Sequence, residues 1–255
     1  MKMPFVIIFS VLLVSTSMAT PTDYINLSQQ FLYAARTGDA DAKKYIDTLA
    51  TSQLNELQLQ LNTDDKRKAF WINLYNAYTQ YELRKSPEQY KKRSTFFGAS
   101  IINIGGEKLS LDKIEHGILR KSKVKWSLGY LNKLFPSKFE KQFRVQKLDN
   151  RIHWALNCGA KSCPPIAFYD PAKIEKQLIL AQKAYLKGDC IYKAAENTVY
   201  VPKLFSWFRH DFGGKNGVKE ILKSVGVIIN ETNPTIKYLD YSWDLYLDKF
   251  KEDTE

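Results

Sequence analysis

The sequence predicts a single helix-rich α+β domain with small antiparallel sheets or hairpins. Three observations support this class: several stretches carry apolar residues at helical spacing, short alternating runs are bounded by glycine or proline, and helices and strands do not alternate regularly. The 255-residue chain is 44% hydrophobic and 13% aromatic, which is enough for a sizeable core. It shows no repeat and no linker, so one domain over residues 20–255 is expected.

The first third of this domain is expected to be helical. Apolar residues at a helical period predict three helices, over residues 24–36, 39–48 and 52–60. A longer helix should follow, with Thr63 as its N-cap and with Asp64 and Asp65 near its positive end. Because this helix is so rich in aromatic residues, we expect it to be buried on most sides.

The rest of the chain mixes strands and helices. Gly105 and Gly106 between two alternating runs predict a β-hairpin, and Ser110 should cap the helix that follows. Strands are predicted at 151–158 and 235–247, and the segment 197–214 should be a strand that runs into a helix closed by Gly213-Gly214. Further helices are predicted over residues 171–188 and 218–226.

The N-terminus has the three-part pattern of a secretory signal peptide. Lys2 supplies the positive charge, residues 4–14 form an apolar run, and Ser17 and Ala19 are the small residues that a signal peptidase reads. We therefore expect a signal peptide over residues 1–19 and a periplasmic or secreted protein; the alternative is a cytosolic protein with an apolar first helix. The run is far shorter than the ~20 apolar residues of a membrane span, so no membrane span is expected.

The chain is basic, with a formal net charge of +11. Its densest basic clusters, residues 91–93 and 121–125, could contact nucleic acid or anionic lipid. A solvated surface explains them more simply, and export would exclude nucleic acid as a partner. We expect a small-molecule or peptide ligand and no nucleic acid, while the oligomeric state stays open.

The long helix carries a polar stripe. Asn73, Asn76 and Gln80 lie on one face, and Arg84 continues that face one turn further on. Amides on a buried helix must be hydrogen-bonded. The stripe therefore either ties loops to the helix or faces a ligand cleft.

The helix after Ser110 carries a carboxylate, an imidazole and a guanidinium on one face. Asp112, His116 and Arg120 follow each other at intervals of four residues. Asp112, or Glu115 from the side, could orient the His116 ring and raise its basicity. The alternative is an ordinary ladder of surface ion pairs.

The stretch RIHWALNCGAKSCPPI (residues 151–166) concentrates groups that can carry chemistry. These groups are His153, Asn157, Cys158, Ser162 and Cys163. On a straight strand His153 and Cys158 would lie about 16 Å apart, so they cannot form a direct nucleophile–base pair, and His116 is the candidate base. Gly159 could let the loop return Cys163 toward His153.

The cysteines allow three interpretations. Cys158 is a candidate nucleophile, with the backbone N–H groups of Gly159 and Ala160 free to stabilise an oxyanion. In an oxidising compartment Cys158 could instead pair with Cys163, and with Cys190 the number of cysteines is odd, so at least one is free or pairs between chains. A metal site is the third interpretation, although C-x4-C is not a usual zinc spacing.

A resemblance to a known family rests on five segments: FWINLYNAYT, LDKIEHGILR, RIHWALNCGAKSCPPI, VPKLFSWFRHDFGG and YLDYSWDLYL. Together they resemble the domain-of-unknown-function family 547, whose members include uncharacterised exported bacterial proteins, over about residues 69–247. The resemblance implies motif positions and no activity. Those positions are Asn73, Asn76, Glu115, His116, Arg120, His153, Asn157, Cys158, Gly159, Ser162, Cys163 and Pro164.

The leading hypothesis is a cofactor-free thiol hydrolase or acyl transferase with Cys158 as the nucleophile and His116 as the base. Asp112 or Glu115 would orient His116, and Asn73 or Asn157 would polarise the substrate. The remaining candidates for the binding site are Asn76, Arg120, His153, Ser162 and Cys163, and no metal ligand is assigned. The alternatives are a non-catalytic binding or scaffold protein with a Cys158–Cys163 disulfide and, third, a zinc hydrolase.

Overall fold

Helix α4 (Asp64–Lys85) is the axis around which the chain folds. The structure is a computed structural model that describes residues 22–251, so the expected signal peptide lies outside the described residues. Every residue from 68 to 80 is buried, which confirms that this aromatic-rich helix is enclosed on most sides. The Thr63 hydroxyl caps the helix as predicted, because it accepts a hydrogen bond from the Lys66 amide.

The other elements surround α4 and confirm the helix-rich α+β class. In the described part of the chain the further α-helices are α1 (Tyr24–Thr37), α2 (Ala42–Ala50), α3 (Leu54–Gln60), α5 (Arg93–Gly98), α6 (Lys138–Phe143), α7 (Ile174–Asp189), α8 (Leu204–Trp207) and α9 (Gly214–Ser224). The strands are β1 (Ile102–Ile104), β2 (Glu107–Leu109), β3 (Ile191–Lys193), β4 (Thr198–Val201) and β5 (Thr235–Tyr238). Short 3₁₀ helices cover Pro87–Lys92, Asn150–Trp154 and Ala194–Glu196.

The strands form two small sheets. β1 and β2 make the predicted antiparallel hairpin, and its turn residues Gly105 and Gly106 both have positive φ, 55° and 87°. In the second sheet β4 pairs antiparallel with β3 and parallel with β5. The parallel pair differs from the expected antiparallel arrangement, because α8 and α9 form a crossover that returns the chain in the same direction.

The predicted strand at residues 151–158 is wrong. Asn150–Trp154 form a 3₁₀ helix whose first turn is capped by Asp149, which accepts a hydrogen bond from the Arg151 amide at 3.1 Å. Residues 152–154 are all buried, which an alternating strand does not give. The 16 Å separation argued for a straight strand therefore does not apply to His153 and Cys158.

Two predicted boundaries near the C-terminus also differ. The helix expected to close at Gly213-Gly214 ends at Trp207, and Gly213 instead caps the start of α9. The final strand ends at Tyr238, because the chain then leaves the sheet. Residues 239–250, called the C-terminal strap, cross the loop that holds the cysteines and bridge to it at Ala160–Leu245.

A π-helix replaces the expected regular helix after Ser110. The Ser110 hydroxyl caps its start by accepting a hydrogen bond from the Lys113 amide at 3.1 Å, as predicted. From Lys113 to Leu119 the turns are wider than in an α-helix, and the Arg120 amide donates to the Glu115 carbonyl, five residues back. Such π segments occur frequently at functional sites.

Two hydrophobic clusters meet at the 3₁₀ helix Asn150–Trp154. The larger cluster packs around α4 and includes Ile152. The smaller one is built from α7, β4, α8 and α9 and includes Trp154. The residues between them therefore lie at the seam of the molecule, next to the cysteine loop.

Candidate functional site

A cavity of about 530 Å³ opens at this seam, and we call it the thiol pocket. Its volume is in the range of small-molecule sites. The apolar and aromatic side chains that line it are Tyr75, Phe97, Trp126, Leu128, Leu156, Pro164, Leu204, Trp207, Phe208, Tyr241 and Trp243. The polar ones are Arg93, Ser94, Asp112, Glu115, His116, Lys125, His153, Cys158 and Cys163.

The cysteine loop, residues 157–165, is fixed by one amide side chain. Asn157 donates a hydrogen bond to the Pro164 carbonyl and accepts one from the Gly159 amide, each at 2.8 Å. Gly159 has a φ of 81°, and a Cβ there would lie 2.9 Å from the Leu83 side chain. The turn therefore requires glycine, and it sets the direction of the neighbouring Cys158.

The two loop cysteines face each other in the pocket wall. Their Sγ atoms are 2.6 Å apart, longer than the ~2.05 Å of a disulfide bond, and both thiols are free. The Cys158 amide donates to Cys163 Sγ at 3.0 Å. The Tyr241 hydroxyl of the C-terminal strap lies 3.4 Å from Cys158 Sγ and 3.2 Å from Cys163 Sγ.

These contacts make the two thiols chemically different. The hydrogen bond from Cys163 lowers the pKa of Cys158 to about 7 against the opposing effect of burial, with help from Tyr241 and from the Ala160 backbone amide. Burial and the neighbouring Cys158 raise the pKa of Cys163 well above its usual value. Of the two thiols, Cys158 is therefore the one that ionises first, with Cys163 as the proton donor to it.

The expected oxyanion donors need a correction. The Gly159 N–H is used internally, because it donates to Asn157 Oδ1. The Ala160 N–H contributes to lowering the pKa of Cys158, so it stabilises the thiolate. The Gly159 amide is therefore not free for a substrate oxygen, and a side-chain donor is the alternative.

The π-helix brings Glu115 and His116 to the opposite wall, and Asp112 lies there directly before its first residue. Burial and then the Arg120 charge lower the pKa of His116 well below its usual value, so the ring is neutral. Arg120 donates to His116 Nδ1 at 2.9 Å, and since a guanidinium cannot accept, the ring proton is on Nε2. Asp112 Oδ1 lies 3.7 Å from that Nε2.

Glu115 is the titratable carboxyl of the site. Burial raises its pKa to about 7, and the charge of Arg120 only partly opposes this. Its Oε2 accepts a hydrogen bond from the Tyr75 hydroxyl at 3.4 Å. Burial, then Glu115 and the Cys158 thiolate, raise the pKa of Tyr75, so its hydroxyl stays protonated between the two groups.

A buried ion cluster of Arg120, Asp211 and His153 holds the end of the π-helix in place. Arg120 donates from Nε to Asp211 Oδ2 at 2.6 Å, and His153 Nε2 donates to the same oxygen at 3.0 Å. Burial opposes ionisation of Asp211, yet hydrogen bonds from His153 and Arg120 hold its pKa at about 2. His153 also stacks on Phe208 at 3.9 Å, which fixes its ring in the pocket wall. The predicted spacing of Asp112, His116 and Arg120 therefore forms a real network, with Asp211 as its anchor.

The amide stripe of α4 lies outside the pocket, so its hydrogen bonds fit the first of the two alternatives, in which the stripe ties loops to the helix. Asn73 donates to the Tyr169 carbonyl and accepts from its amide, both at 2.9 Å. Asn76 donates to the Ala155 carbonyl and accepts from the Asn157 amide, also at 2.9 Å. Both side chains tie loops to the helix, and Asn76 does so directly beside the cysteine loop.

Three other polar residues singled out in the sequence either make structural contacts or lie outside the pocket. Ser162 is structural in its contacts, since its hydroxyl accepts the Ser242 amide at 2.9 Å. Cys190 lies outside the pocket, and burial raises its pKa to about 12. His210 packs edge-on against Tyr130 and lines no part of the cavity.

Sequence reasoning missed several residues that shape the site. They are Tyr75, Trp207, Asp211, Tyr241 and Trp243. The signal for them was the aromatic density of FWINLYNAYT, WFRHD and YLDYSWD, which resembles ordinary core. Their importance comes from the strap crossing the cysteine loop, and a single sequence does not show that crossing.

Two further observations concern metal ligands and membrane-spanning helices. Within residues 22–251, no three His, Cys, Asp or Glu side chains are grouped as metal ligands. In the same range, none of the helices combines the length and the apolar composition of a bilayer-crossing segment.

Fold and site together define a helix-rich α+β protein with a thiol-bearing aromatic pocket. Residues 59–186, half of the chain, match the family described as "Protein of unknown function, DUF547", and the chain belongs to that family. The match contains α4, the π-helix and the cysteine loop, whereas the strap and Asp211 lie beyond it. No curated protein and no solved structure matches the chain.

Proposed function

We propose that this protein is a thiol-dependent hydrolase or acyl transferase with Cys158 as its nucleophile. The observation that carries the proposal is the position of the Cys158 thiol, beside Cys163 and Tyr241 in the wall of a 530 Å³ pocket that also holds Glu115 and His116. The hydrogen bond from Cys163 lowers the pKa of this thiol to about 7, so at neutral pH a large fraction of it is thiolate without a base to activate it.

The first step is acyl transfer to the sulfur. The Cys158 thiolate attacks the acyl carbonyl carbon, the S–C bond forms, and the carbonyl electron pair moves to oxygen. The tetrahedral intermediate then expels its leaving group, which takes a proton from Glu115. A carboxyl with a pKa of about 7 suits this exchange, because it is protonated in half of the molecules at neutral pH.

The second step releases the acyl group. Water, or a hydroxyl or amine acceptor, gives a proton to the Glu115 carboxylate and attacks the thioester carbon. The S–C bond breaks and the Cys158 thiolate returns. The two steps together balance in atoms and charge without an oxidant, a reductant or a metal ion.

His116 takes a different role from the one predicted. Its Nδ1 lone pair accepts from Arg120, so the neutral ring has no lone pair left for a proton from Cys158. Its Nε2–H can instead donate to the developing oxyanion, which the Gly159 amide cannot do because it donates to Asn157. In this proposal Glu115 is the acid and base, and Asp112 stays near Nε2 as an orienting group.

The lining of the pocket indicates the class of substrate. Trp207, Tyr241 and Trp243 pack on one another, with ring centroids 4.6–5.4 Å apart. Such a wall binds apolar or planar groups and offers few hydrogen bonds to a peptide backbone. We therefore assign an acyl donor with an apolar or aromatic substituent.

A second candidate function rests on the closeness of the thiols. Two Sγ atoms 2.6 Å apart need little movement to join in an oxidising compartment, and the joined form has no nucleophile. The protein would then be a binding or scaffold protein that uses the aromatic pocket alone.

Alkylation of the native protein separates the two functions. Iodoacetamide is added at pH 6 without reductant, and the labelled peptides are mapped. The proposal expects Cys158 to be labelled first, and His116→Ala tests whether the ring affects the rate. The Cys190→Ser variant is the matched control, because Cys190 is a thiol outside the pocket. A Cys158–Cys163 linked peptide, with labelling only after reduction, supports the second function.

We also propose that the protein is exported, on the strength of the N-terminal pattern in residues 1–19. Export would place the thiols in an oxidising compartment, where the balance between free and paired Cys158 decides activity.

A further inference from the structure

Away from the pocket interior, one segment exposes large apolar side chains that the proposed chemistry does not use. Residues 121–138, called the basic loop, contain Trp126, Leu134 and Phe135, which are 76%, 86% and 92% exposed. Exposed apolar residues grouped in this way usually mark an interaction surface. Single exposed residues such as Leu59 are ordinary, but this loop exposes Tyr130 as well.

The basic loop is held in one conformation by hydrogen bonds and close packing. The Val124 amide donates to the Leu131 carbonyl at 2.9 Å, and the Ser127 hydroxyl donates to the Val124 carbonyl at 2.8 Å. Gly129 lies so close to the buried Asp211 that a Cβ would come within 2.2 Å of its carboxylate. The backbone therefore displays the apolar side chains from a fixed position.

The charge around these side chains has one sign. The segment 121–138 contains five lysines and no acidic residue. Lys125 and Lys133 pair with carboxylates outside the loop. Lys121, Lys123 and Lys138 make no ion pair with any residue in the range 22–251, so their charge is available to a partner.

A loop that exposes aromatic and aliphatic side chains among lysines has the chemistry of a surface that enters the headgroup layer of an anionic bilayer. Tryptophan prefers the boundary between lipid and water, and each nearby lysine is attracted to anionic headgroups. A partner protein with an acidic surface would satisfy the lysines. It would also need a concave apolar site to cover Phe135 and Leu134, whereas a bilayer accepts these side chains without a preformed site.

We propose that the basic loop docks this protein on an anionic phospholipid surface, with Trp126, Leu134 and Phe135 inserted among the headgroups. The proposal rests on the loop alone and not on the thiol chemistry. Trp126 and Leu128 also line the thiol pocket, so docking holds the pocket entrance against the bilayer. An apolar acyl group could then enter the pocket from the lipid phase.

The test is sedimentation of the full chain with vesicles of phosphatidylcholine and phosphatidylglycerol, compared with phosphatidylcholine alone. We expect at least about tenfold tighter binding to the anionic vesicles, weakened by salt. The variant W126S/F135S should lose about tenfold or more, and K121Q/K123Q/K138Q should lose as much and flatten the salt dependence. The matched controls, Leu59→Ser for exposed apolar area and K176Q/K183Q for charge, should bind like the wild type.

Insertion has a readout of its own. Vesicles that contain brominated lipid should quench tryptophan emission, and Trp126→Phe should remove most of this quenching while binding persists. An unchanged thermal unfolding midpoint shows that each variant is folded.

Three results would overturn the proposal. The first is equal binding to neutral and anionic vesicles. The second is an equal loss in K176Q/K183Q, because binding would then follow the net charge and not the loop. The third is a loss with the lysine variant and none with W126S/F135S, since that describes adsorption without insertion.

Discussion

Three buried groups, Cys158, Glu115 and His116, differ in how readily they hold a proton, and the proposed chemistry depends on this difference. The hydrogen bond from Cys163 favours the Cys158 thiolate, burial keeps a proton on Glu115, and burial together with Arg120 keeps His116 neutral. The causes overlap only in part, since Arg120 acts on both Glu115 and His116, whereas Cys163 acts on Cys158. Near pH 7 the site therefore holds a nucleophile and an acid at the same time.

The first prediction concerns the pH dependence of the thiol. The alkylation rate of Cys158 should rise with pH through a midpoint near 7, the pKa that its hydrogen bonds set. Cys163→Ala removes the strongest of these bonds, so the midpoint should move up toward the ordinary thiol value. Stopped-flow labelling between pH 5 and 10 measures both curves. Coincident midpoints in the two proteins would show that Cys163 does not control Cys158.

The second prediction concerns the stability cost of Glu115. Its pKa is 4.5 in the unfolded chain and about 7 when folded, so between these values the folded state keeps a proton that the unfolded state releases. Stability contributed by this residue therefore falls as pH rises, by about 3 kcal/mol in all. Glu115→Gln should gain that amount over wild type above pH 7 and little at pH 4.5.

Urea unfolding at several pH values measures this difference. Glu231→Gln is the control for replacing a carboxyl at the exposed surface. A difference that does not change with pH for Glu115→Gln would mean that burial does not raise the pKa of Glu115 and that Glu115 is not the acid of the site.

At the scale of elements, the buried helix α4 holds several loops in place through hydrogen bonds from its polar side chains. Asn73 holds residue 169, and Asn76 holds residues 155 and 157. Gln80 continues the same stripe by accepting the Asp248 amide at 3.1 Å. One polar face of a buried helix thus fixes the cysteine loop and the strap that crosses it.

The third prediction separates the two asparagines. Asn73→Leu and Asn76→Leu each strand a backbone amide and a carbonyl, and each stranded group should cost about 1–3 kcal/mol. Only Asn76 contacts the cysteine loop, so only Asn76→Leu should also shift the pH midpoint of Cys158 labelling. Urea unfolding and the labelling curve measure the two effects. Equal shifts in both variants would contradict the assigned positions.

Some helices and strands were predictable from the sequence, and others were not. Caps and periodicity predicted α1, α4 and the β1–β2 hairpin, because those signals are local. The strand expected at 151–158 failed, since the Asp149 cap and tertiary contacts overrode a pattern of alternating residues. The wider turns of the π-helix and the crossing of the strap depend on contacts between distant segments, and no single-sequence pattern contains them.

For the whole molecule, the family match gives a boundary but no activity. It ends at residue 186, while Asp211 and Tyr241, which anchor and cap the site, come later in the chain. The candidate site therefore needs the C-terminal part as well as the matched region. Sequence patterns named Cys158, His116 and Glu115 as candidates, whereas the roles proposed for them depend on contacts that no sequence pattern contains.

The fourth prediction concerns export at this scale. If residues 1–19 are a signal peptide, the protein isolated from its native compartment should have an intact mass that begins at or near Thr20. A mass that still includes Met1 would contradict export. The argument for an oxidising environment around the cysteines would then also be lost.

The most direct test of the central claim is to trap the acyl-enzyme. The protein is incubated with an aryl ester of a medium-chain fatty acid, quenched in acid, and analysed by intact mass and peptide mapping. We predict one acyl group on Cys158 in the wild type and none in Cys158→Ala. Cys163→Ala should still be acylated, but with a lower yield at pH 7. In Glu115→Gln the acyl group should persist longer, because no carboxylate deprotonates the attacking water. If Cys158 is shown to be a free thiol by labelling and yet carries no acyl group, the protein is not a thiol hydrolase or acyl transferase of this kind.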